Sequence, residues 1–190
     1  NVTEFFRNAE LFKELEEIIK KELLPKNDAL KIWSAACSIG CEPYTLGIIL
    51  DKISRGKKHN ILATDIDNTI LTKAKKGMYV QSEVKNVEIH DLNKYFTKEN
   101  DRYFINEDIK SMVNFKKHDL ILGNYERDFD LIVCRNVVIY FNNDVKNEIY
   151  RKFSNSLKKG GLLFVGATES IYNYKEFGFE KASTFIYRKL

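Results

Sequence analysis

Residues 32–44 read IWSAACSIGCEPY, and this stretch decides the fold. An apolar run closes in small residues, passes one glycine at Gly40 and meets Glu42-Pro43 where a helix begins. Small side chains allow backbone to approach a ligand, and a helix N-terminus offers N–H groups with no partner of their own. A strand, a tight turn and a helix built this way hold a polar small molecule. Two further segments, Thr64-Asp65-Ile66-Asp67 and Cys134-Arg135-Asn136, also set polar residues just after apolar runs. Three such strand ends imply one shared pocket.

Working outward, apolar periodicity supplies the remaining elements. Residues 9–24 place Phe12, Leu15, Ile18, Ile19 and Leu23 on one face of a helix ending near Pro25. Residues 30–36 read as a buried strand and 42–54 as a helix with Pro43 in its first turn. A short strand at 60–64 leads into a helix at 68–76, with Gly77 as its stop. Residues 79–112 are polar, and the flanks of Lys98–Asp101 predict a hairpin over 95–106, so this stretch reads as a small antiparallel insertion. Strands at 113–116 and 129–134 follow. A helix at 143–157 carries Val145, Ile149, Phe153 and Leu157 at intervals of four, with Asn142 as N-cap. Gly160-Gly161 is expected to end it before a strand at 162–165, and 177–180 with 185–188 form a closing hairpin. Strands alternating with helices predict an α/β domain with a parallel sheet covered on both faces. Ligands of such sheets bind beyond the carboxyl ends of the strands, where 37–42, 64–67 and 134–136 all fall.

Composition narrows the function classes. With 190 residues, 44% hydrophobic and 31% charged, the chain suits one globular α/β domain. The net charge of +4 fits an acidic partner but is too small and dispersed to argue for nucleic acid. Its basic pairs sit near element ends and read as solvated surface. No apolar run reaches membrane-spanning length, and no signal-peptide pattern is visible. The chain starts at Asn1 rather than methionine, so upstream residues are expected to be missing. Cys37, Cys41 and Cys134 are an odd number without a disulfide framework, which suits a reducing cytoplasm. His59, His90 and His118 are scattered and no second cysteine pair exists, so no metal is expected.

The first turn carries Gly40 alone, whereas a dinucleotide fingerprint needs three spaced glycines, and no phosphate loop occurs. A ligand with adenosine but no pyrophosphate fits better. Asp65 follows Gly40 by 25 residues, where a carboxylate can accept both ribose hydroxyls. It can equally cap the next helix, a role for which Asp67 competes. Tyr140 reads by itself as a core aromatic beside Phe141.

At this point a resemblance becomes specific. IWSAACSIGCEPYTL, LATDIDNTILTKAKKGMY, FDLIVCRNVVIYF and GGLLFVGATES resemble, in order, the successive blocks of the CheR-type chemoreceptor glutamate methyltransferases. The opening NVTEFFR is similar to the N-x-T-x-F-F-R segment preceding their catalytic domain. The resemblance covers nearly the whole chain. It implies a Rossmann-like S-adenosylmethionine-dependent methyltransferase fold, with a mostly parallel seven-stranded sheet, helices on both faces and a small antiparallel β insertion. It implies that Asn1, Thr3, Arg7, Ser38, Gly40 and Glu42 surround the cofactor's amino-acid end and the reaction centre. Asp65 would take the ribose, Asp119 and Leu120 border the adenine, and Asn136 and Val137 line the floor. Arg7 and Tyr140 would face the methyl group and the incoming carboxylate, which moves Tyr140 from core to site. The implied substrate is the cytoplasmic helical region of chemoreceptors, and the chain is expected to act as a cytoplasmic monomer.

The chain also departs from the family pattern. Where the loop commonly reads S-T-G-E-E-P-Y, this chain has Ile39 for the threonine and Cys41 for the first acid, while Glu42 is kept. Asp119 stands where asparagine is frequent. The family's N-terminal helical domain is expected to be absent. The 95–106 hairpin lacks the glycine-rich loop of members that grip a receptor's tether peptide, so recognition is expected not to need a tether.

Overall fold

A computed structural model describes residues 3–190. The strands are β1 (Lys31–Ala35), β2 (Asn60–Asp65), β3 (Met78–Tyr79), β4 (Phe96–Glu99), β5 (Arg102–Ile105), β6 (Val113–Lys117), β7 (Phe129–Cys134), β8 (Leu157–Val165), β9 (Phe179–Ser183) and β10 (Ile186–Lys189). The helices are α1 (Ala9–Ile18), α2 (Cys41–Ile53), α3 (Asn68–Lys76), α4 (Gln81–Val84), α5 (Ile89–Tyr95), α6 (Glu107–Lys110) and α7 (Asn143–Ser156). A seven-stranded sheet runs β6-β2-β1-β7-β8-β10-β9, and a three-stranded sheet runs β3-β5-β4. Pairings from β6 to β8 are parallel, while β10 runs antiparallel to β8 and β9. Chain order reverses beside β1, and this opens a crevice at the carboxyl ends of β1 and β7.

Alternation along the strands builds two apolar cores. Ile32, Leu131, Val133, Leu162 and Phe164 face a core shared with α1, α2 and the insertion. Trp33, Ile132, Cys134, Leu163 and Val165 face the opposite core, shared with α7 and the closing hairpin. A sheet buried on both faces reads as continuous apolar runs, as FDLIVC does. Among the described residues no helix is long and apolar enough to cross a membrane.

Two expectations need correction. Gly160-Gly161 does not terminate α7, which ends at Ser156; both glycines lie inside β8. There the register against β7 slips between Phe129 and Leu131, and Gly160 takes φ +81°. The residues form a bulge, a position that favours glycine as a helix stop does. The first helix does not run unbroken to residue 24: α-helix gives way to a π-helical stretch at Ile19–Leu23 and a 3-10 turn at Leu24–Lys26, ahead of extended Asn27. The expected small antiparallel insertion is present: β4 and β5 form its hairpin, and β3 adds a third strand beside β5.

The competition between the two aspartates is resolved in favour of Asp67 as the cap of α3. Its carboxylate accepts from Thr69 N at 2.8 Å and Ile70 N at 3.3 Å. Replacing Asp67 with alanine should cost about 1 kcal/mol, read as a lower urea midpoint, and leave ligand affinity unchanged. A large affinity loss would mean that the cap also shapes the site.

Candidate functional site

The turn after β1 is held in a demanding conformation. Ala36 and Ser38 adopt left-handed φ values of 60° and 52°, and Gly40 reaches 95°. Cys37 N donates to Thr64 O at 2.8 Å, and Ser38 N donates to Asp65 Oδ2 at 3.0 Å. From the insertion, the Tyr79 hydroxyl donates to Ile39 O at 2.7 Å. Among the described residues, five of the seven non-glycine residues with positive φ lie in three segments meeting at this crevice: Phe6 and Asn8, Ala36 and Ser38, and Asn136. Such backbone strain gathers where surrounding structure holds a site in place.

Glu42 is the second residue of α2, and its Oε1 accepts from Ser34 Oγ at 2.7 Å. Burial pushes its carboxyl up to about 7, against the pull of Arg135, the Ser34 hydrogen bond and Arg7; Glu169 adds to the rise. Gly40 stands behind the turn rather than at the cavity. A Cβ there would lie 3.0 Å from Tyr79 Oη and 3.1 Å from Tyr44 Cε2, so glycine serves close packing as well as positive φ. Cys41 is buried in the core, and burial, with the Glu83 and Glu4 carboxylates nearby, raises its thiol.

Asp65 ends β2 and accepts from Ser38 N and, at 3.1 Å, from Asp67 N, linking the first two strand ends. Past β6, Asp119 Oδ1 accepts from Ile121 N at 2.8 Å and Leu122 N at 3.1 Å, and these bonds lower its pKa. That carboxylate shapes the 119–122 turn, while Leu120 packs into the core.

The third strand end relies on Glu169, which sequence reading did not single out, and on Arg135, which it names only as part of a polar strand end. Glu169 is buried, and its carboxylate accepts from the backbone N–H groups of Asn136, Val137 (3.2 Å), Val138 (3.0 Å) and Gly166 (3.1 Å). A Cβ on Gly166 would collide with Glu169 Oε1 and stand 2.9 Å from Asn136 Oδ1, so this close approach requires glycine. Arg135, also buried, donates from Nη1 to Arg7 O at 3.1 Å and from Nη2 to Asn8 Oδ1 at 2.9 Å. Val138 enters the core, whereas Tyr140 is 63% exposed and borders the cavity. The core reading of Tyr140 does not hold. The N-terminal segment reaches the site because Phe5 is anchored in the insertion: its N–H donates to Glu83 O at 2.8 Å, and its ring meets Tyr79 and Phe96 edge-on.

These pieces enclose two chambers of about 300 Å³ each, both bordered by Ala36. One is lined by Thr3, Arg7, Ser38, Glu42, Arg135, Asn136 and Tyr140, among others. The other is lined by Asp65, Ile66, Asp119, Leu120, Val137 and Phe141, with His118 and Ile121. The structure thus brings every expected site residue to the crevice except Gly40, and except Asn1, which lies outside the described residues. Ile66, Ile121 and Phe141 supply apolar walls that the sequence reading missed; Ile66 was visible between two aspartates. A carboxylate at the mouth of an apolar chamber suits a nucleoside. A charged chamber holding both a carboxylate and guanidinium groups suits an amino-acid moiety. The donor set fits S-adenosylmethionine. Among the described residues no three metal-ligating side chains cluster.

A family model described as "CheR methyltransferase, SAM binding domain" matches residues 1–186. A chemotaxis protein methyltransferase of Listeria innocua is 38% identical over 190 residues, covering all of this chain and 72% of that protein. One from Borreliella burgdorferi is 35% identical over 197 residues, covering 97% of this chain and 70% of its own. In fold alone, the chain is similar to the glycopeptide N-methyltransferase MtfA solved with sinefungin. That match has a TM-score of 0.54 at 10% identity, over 86% of this chain and 50% of that one. With sequence family, sheet order and crevice in agreement, the chain belongs to the CheR methyltransferase family as its S-adenosylmethionine-binding domain, and it is an S-adenosylmethionine-dependent methyltransferase.

Proposed function

We propose that the chain transfers a methyl group to glutamate side chains in the helical signalling region of chemoreceptors, in the cytoplasm, as a monomer and without needing a receptor tether. The observation that carries this reading is the charged chamber, where Arg7 and Tyr140 border the same cavity as Glu42 and no general base is needed. S-adenosylmethionine supplies an electrophilic methyl on a sulfonium. In transfer to a carboxylate, an O–CH3 bond would form as the S–CH3 bond broke, its electron pair staying on sulfur. A glutamate carboxylate is already ionised at neutral pH, so the protein's tasks are to align it and exclude water. Arg7 orients the carboxylate by charge-assisted hydrogen bonds, and exposed Tyr140 guards the entrance. Glu42 would hold the cofactor's ammonium, and Asp65 would accept hydrogen bonds from the ribose hydroxyls. The printed names of the relatives, chemotaxis protein methyltransferases, support the substrate class. Three buried free cysteines agree with a reducing compartment.

Incubation with methyl-labelled cofactor and a receptor cytoplasmic fragment tests the proposal. Label should enter the fragment and disappear when its exposed helical glutamates are changed to alanine. Labelling that survives those changes would assign the enzyme a different acceptor. Arg7→Ala should lower turnover on this substrate by about 100-fold, with a loss of S-adenosylhomocysteine affinity no larger than about tenfold. An equal collapse of both would place Arg7 on the cofactor rather than on the acceptor.

A further inference from the structure

The Arg135 guanidinium carries an arrangement that cofactor and acceptor contacts do not explain. Its central carbon lies 4.9 Å from the Phe12 ring centroid and 4.7 Å from that of Phe164, so two aromatic side chains from α1 and β8 brace it. Both terminal nitrogens are directed at the Arg7–Asn8 turn. Nε is buried without a hydrogen-bond partner among the described residues, although unsatisfied buried donors cost free energy. The turn it grips is strained, with left-handed Phe6 and Asn8 on either side of Arg7. The same guanidinium borders the chamber that Glu42 lines.

We propose that Arg135 is a positioning residue of the methyl transfer: it clamps the Arg7–Asn8 turn so that Arg7 is held over the charged chamber, and it sets the charge state of Glu42 across that chamber. The inference rests on the reading of Arg7 as the carboxylate-orienting group. Its two halves separate cleanly. The clamp needs the planar fork of arginine, which lysine cannot reproduce, whereas the electrostatic half needs only a cation. Glu42 is faced by Arg135 and Glu169 from the β7 and β8 ends, by Arg7 from the N-terminal segment, and by the Ser34 hydroxyl from β1. Neutral Cys37 and Cys134 thiols are nearby. Among the described residues, removing Arg135 therefore leaves Arg7 as the one cation drawing the Glu42 carboxyl down.

The test compares Arg135→Lys, Arg135→Met and Asn8→Gly in the full chain. Asn8→Gly removes one acceptor of the clamp while leaving the buried charge and suiting the left-handed backbone, so it reports even where an Arg135 variant fails to fold. Arg135→Lys should lower kcat by about 10- to 100-fold through loss of alignment, with S-adenosylhomocysteine affinity within about threefold of the parent. Asn8→Gly should lower kcat in the same sense by several-fold. In ligand-free protein, the Glu42 carboxyl 13C resonance, assigned by its absence in Glu42→Gln, should titrate about one pH unit higher in Arg135→Met and at the parent midpoint in Arg135→Lys. Unchanged kcat in both Arg135→Lys and Asn8→Gly would overturn the clamp. An unchanged Glu42 midpoint in Arg135→Met would overturn the electrostatic half. If receptor fragments prove not to be substrates, the 13C titration still decides the second half, so the two failures are distinguishable.

Discussion

Glu169→Ala is expected to be the most damaging single substitution in this chain. Four backbone N–H groups at the ends of β7 and β8 share its carboxylate as acceptor. An unsatisfied buried donor costs about 1–3 kcal/mol, so even with water entering the gap the loss should reach about 3 kcal/mol or more. The loop released is the one carrying Arg135, Asn136 and Val137. Cofactor affinity should therefore fall together with stability, by about tenfold or more at a temperature where the variant remains folded. Glu169→Gln keeps the shape and one acceptor oxygen and should retain much of both. Urea unfolding and titration calorimetry on the two variants check this. A Glu169→Ala protein with parental stability would show that the four contacts are replaceable.

The second large effect concerns pH. Folding raises the Glu42 carboxyl from about 4.5 to about 7, so the native state holds this proton more tightly than the unfolded chain does. The sign follows directly. Glu42's contribution is most favourable below pH 4.5 and is lost as pH rises through 7, a swing on the order of 3 kcal/mol. Glu42→Gln cannot ionise, so it should become more stable than the parent above pH 7 while the two converge near pH 4.5. Function pulls the other way. A bound ammonium favours the ionised carboxylate, so S-adenosylhomocysteine affinity in the parent should climb with pH toward about 7 and then level. In Glu42→Gln it should be weak and flat across this range. A parent affinity independent of pH between 5.5 and 8 would remove Glu42 from the cofactor's ammonium.

Much of the crevice was legible because its residues break an apolar pattern at predictable places. Small residues at 35–38, acids at 65 and 67, and the Arg135-Asn136 pair all end runs of core residues, and the sheet gathers strand ends by its parallel order. What escaped notice were residues whose role is defined by partners distant in sequence. Glu169 follows β8 by four residues and looks like loop surface, yet it binds a turn more than 30 residues earlier. Arg135 was seen only as part of a polar pair, because nothing local reveals that Phe12 and Phe164 will flank it or that its fork reaches Arg7. Gly160-Gly161 misled for a different reason: glycine marks bulges and helix ends alike, and only the β7 register tells them apart. Asp65 and Asp67 were ambiguous locally, and the hydrogen bonds of α3's first turn separated them.

The ester itself offers the most direct test that this chain methylates carboxylates. A glutamyl methyl ester releases its label as volatile methanol in mild base, whereas N-methyl groups and ether-linked methyl groups retain theirs. After reaction with methyl-labelled S-adenosylmethionine, label on the receptor fragment should be released almost completely by base. It should be nearly absent from reactions with Arg7→Ala. Base-stable label on the fragment, or equal labelling by the Arg7→Ala enzyme, would contradict the account.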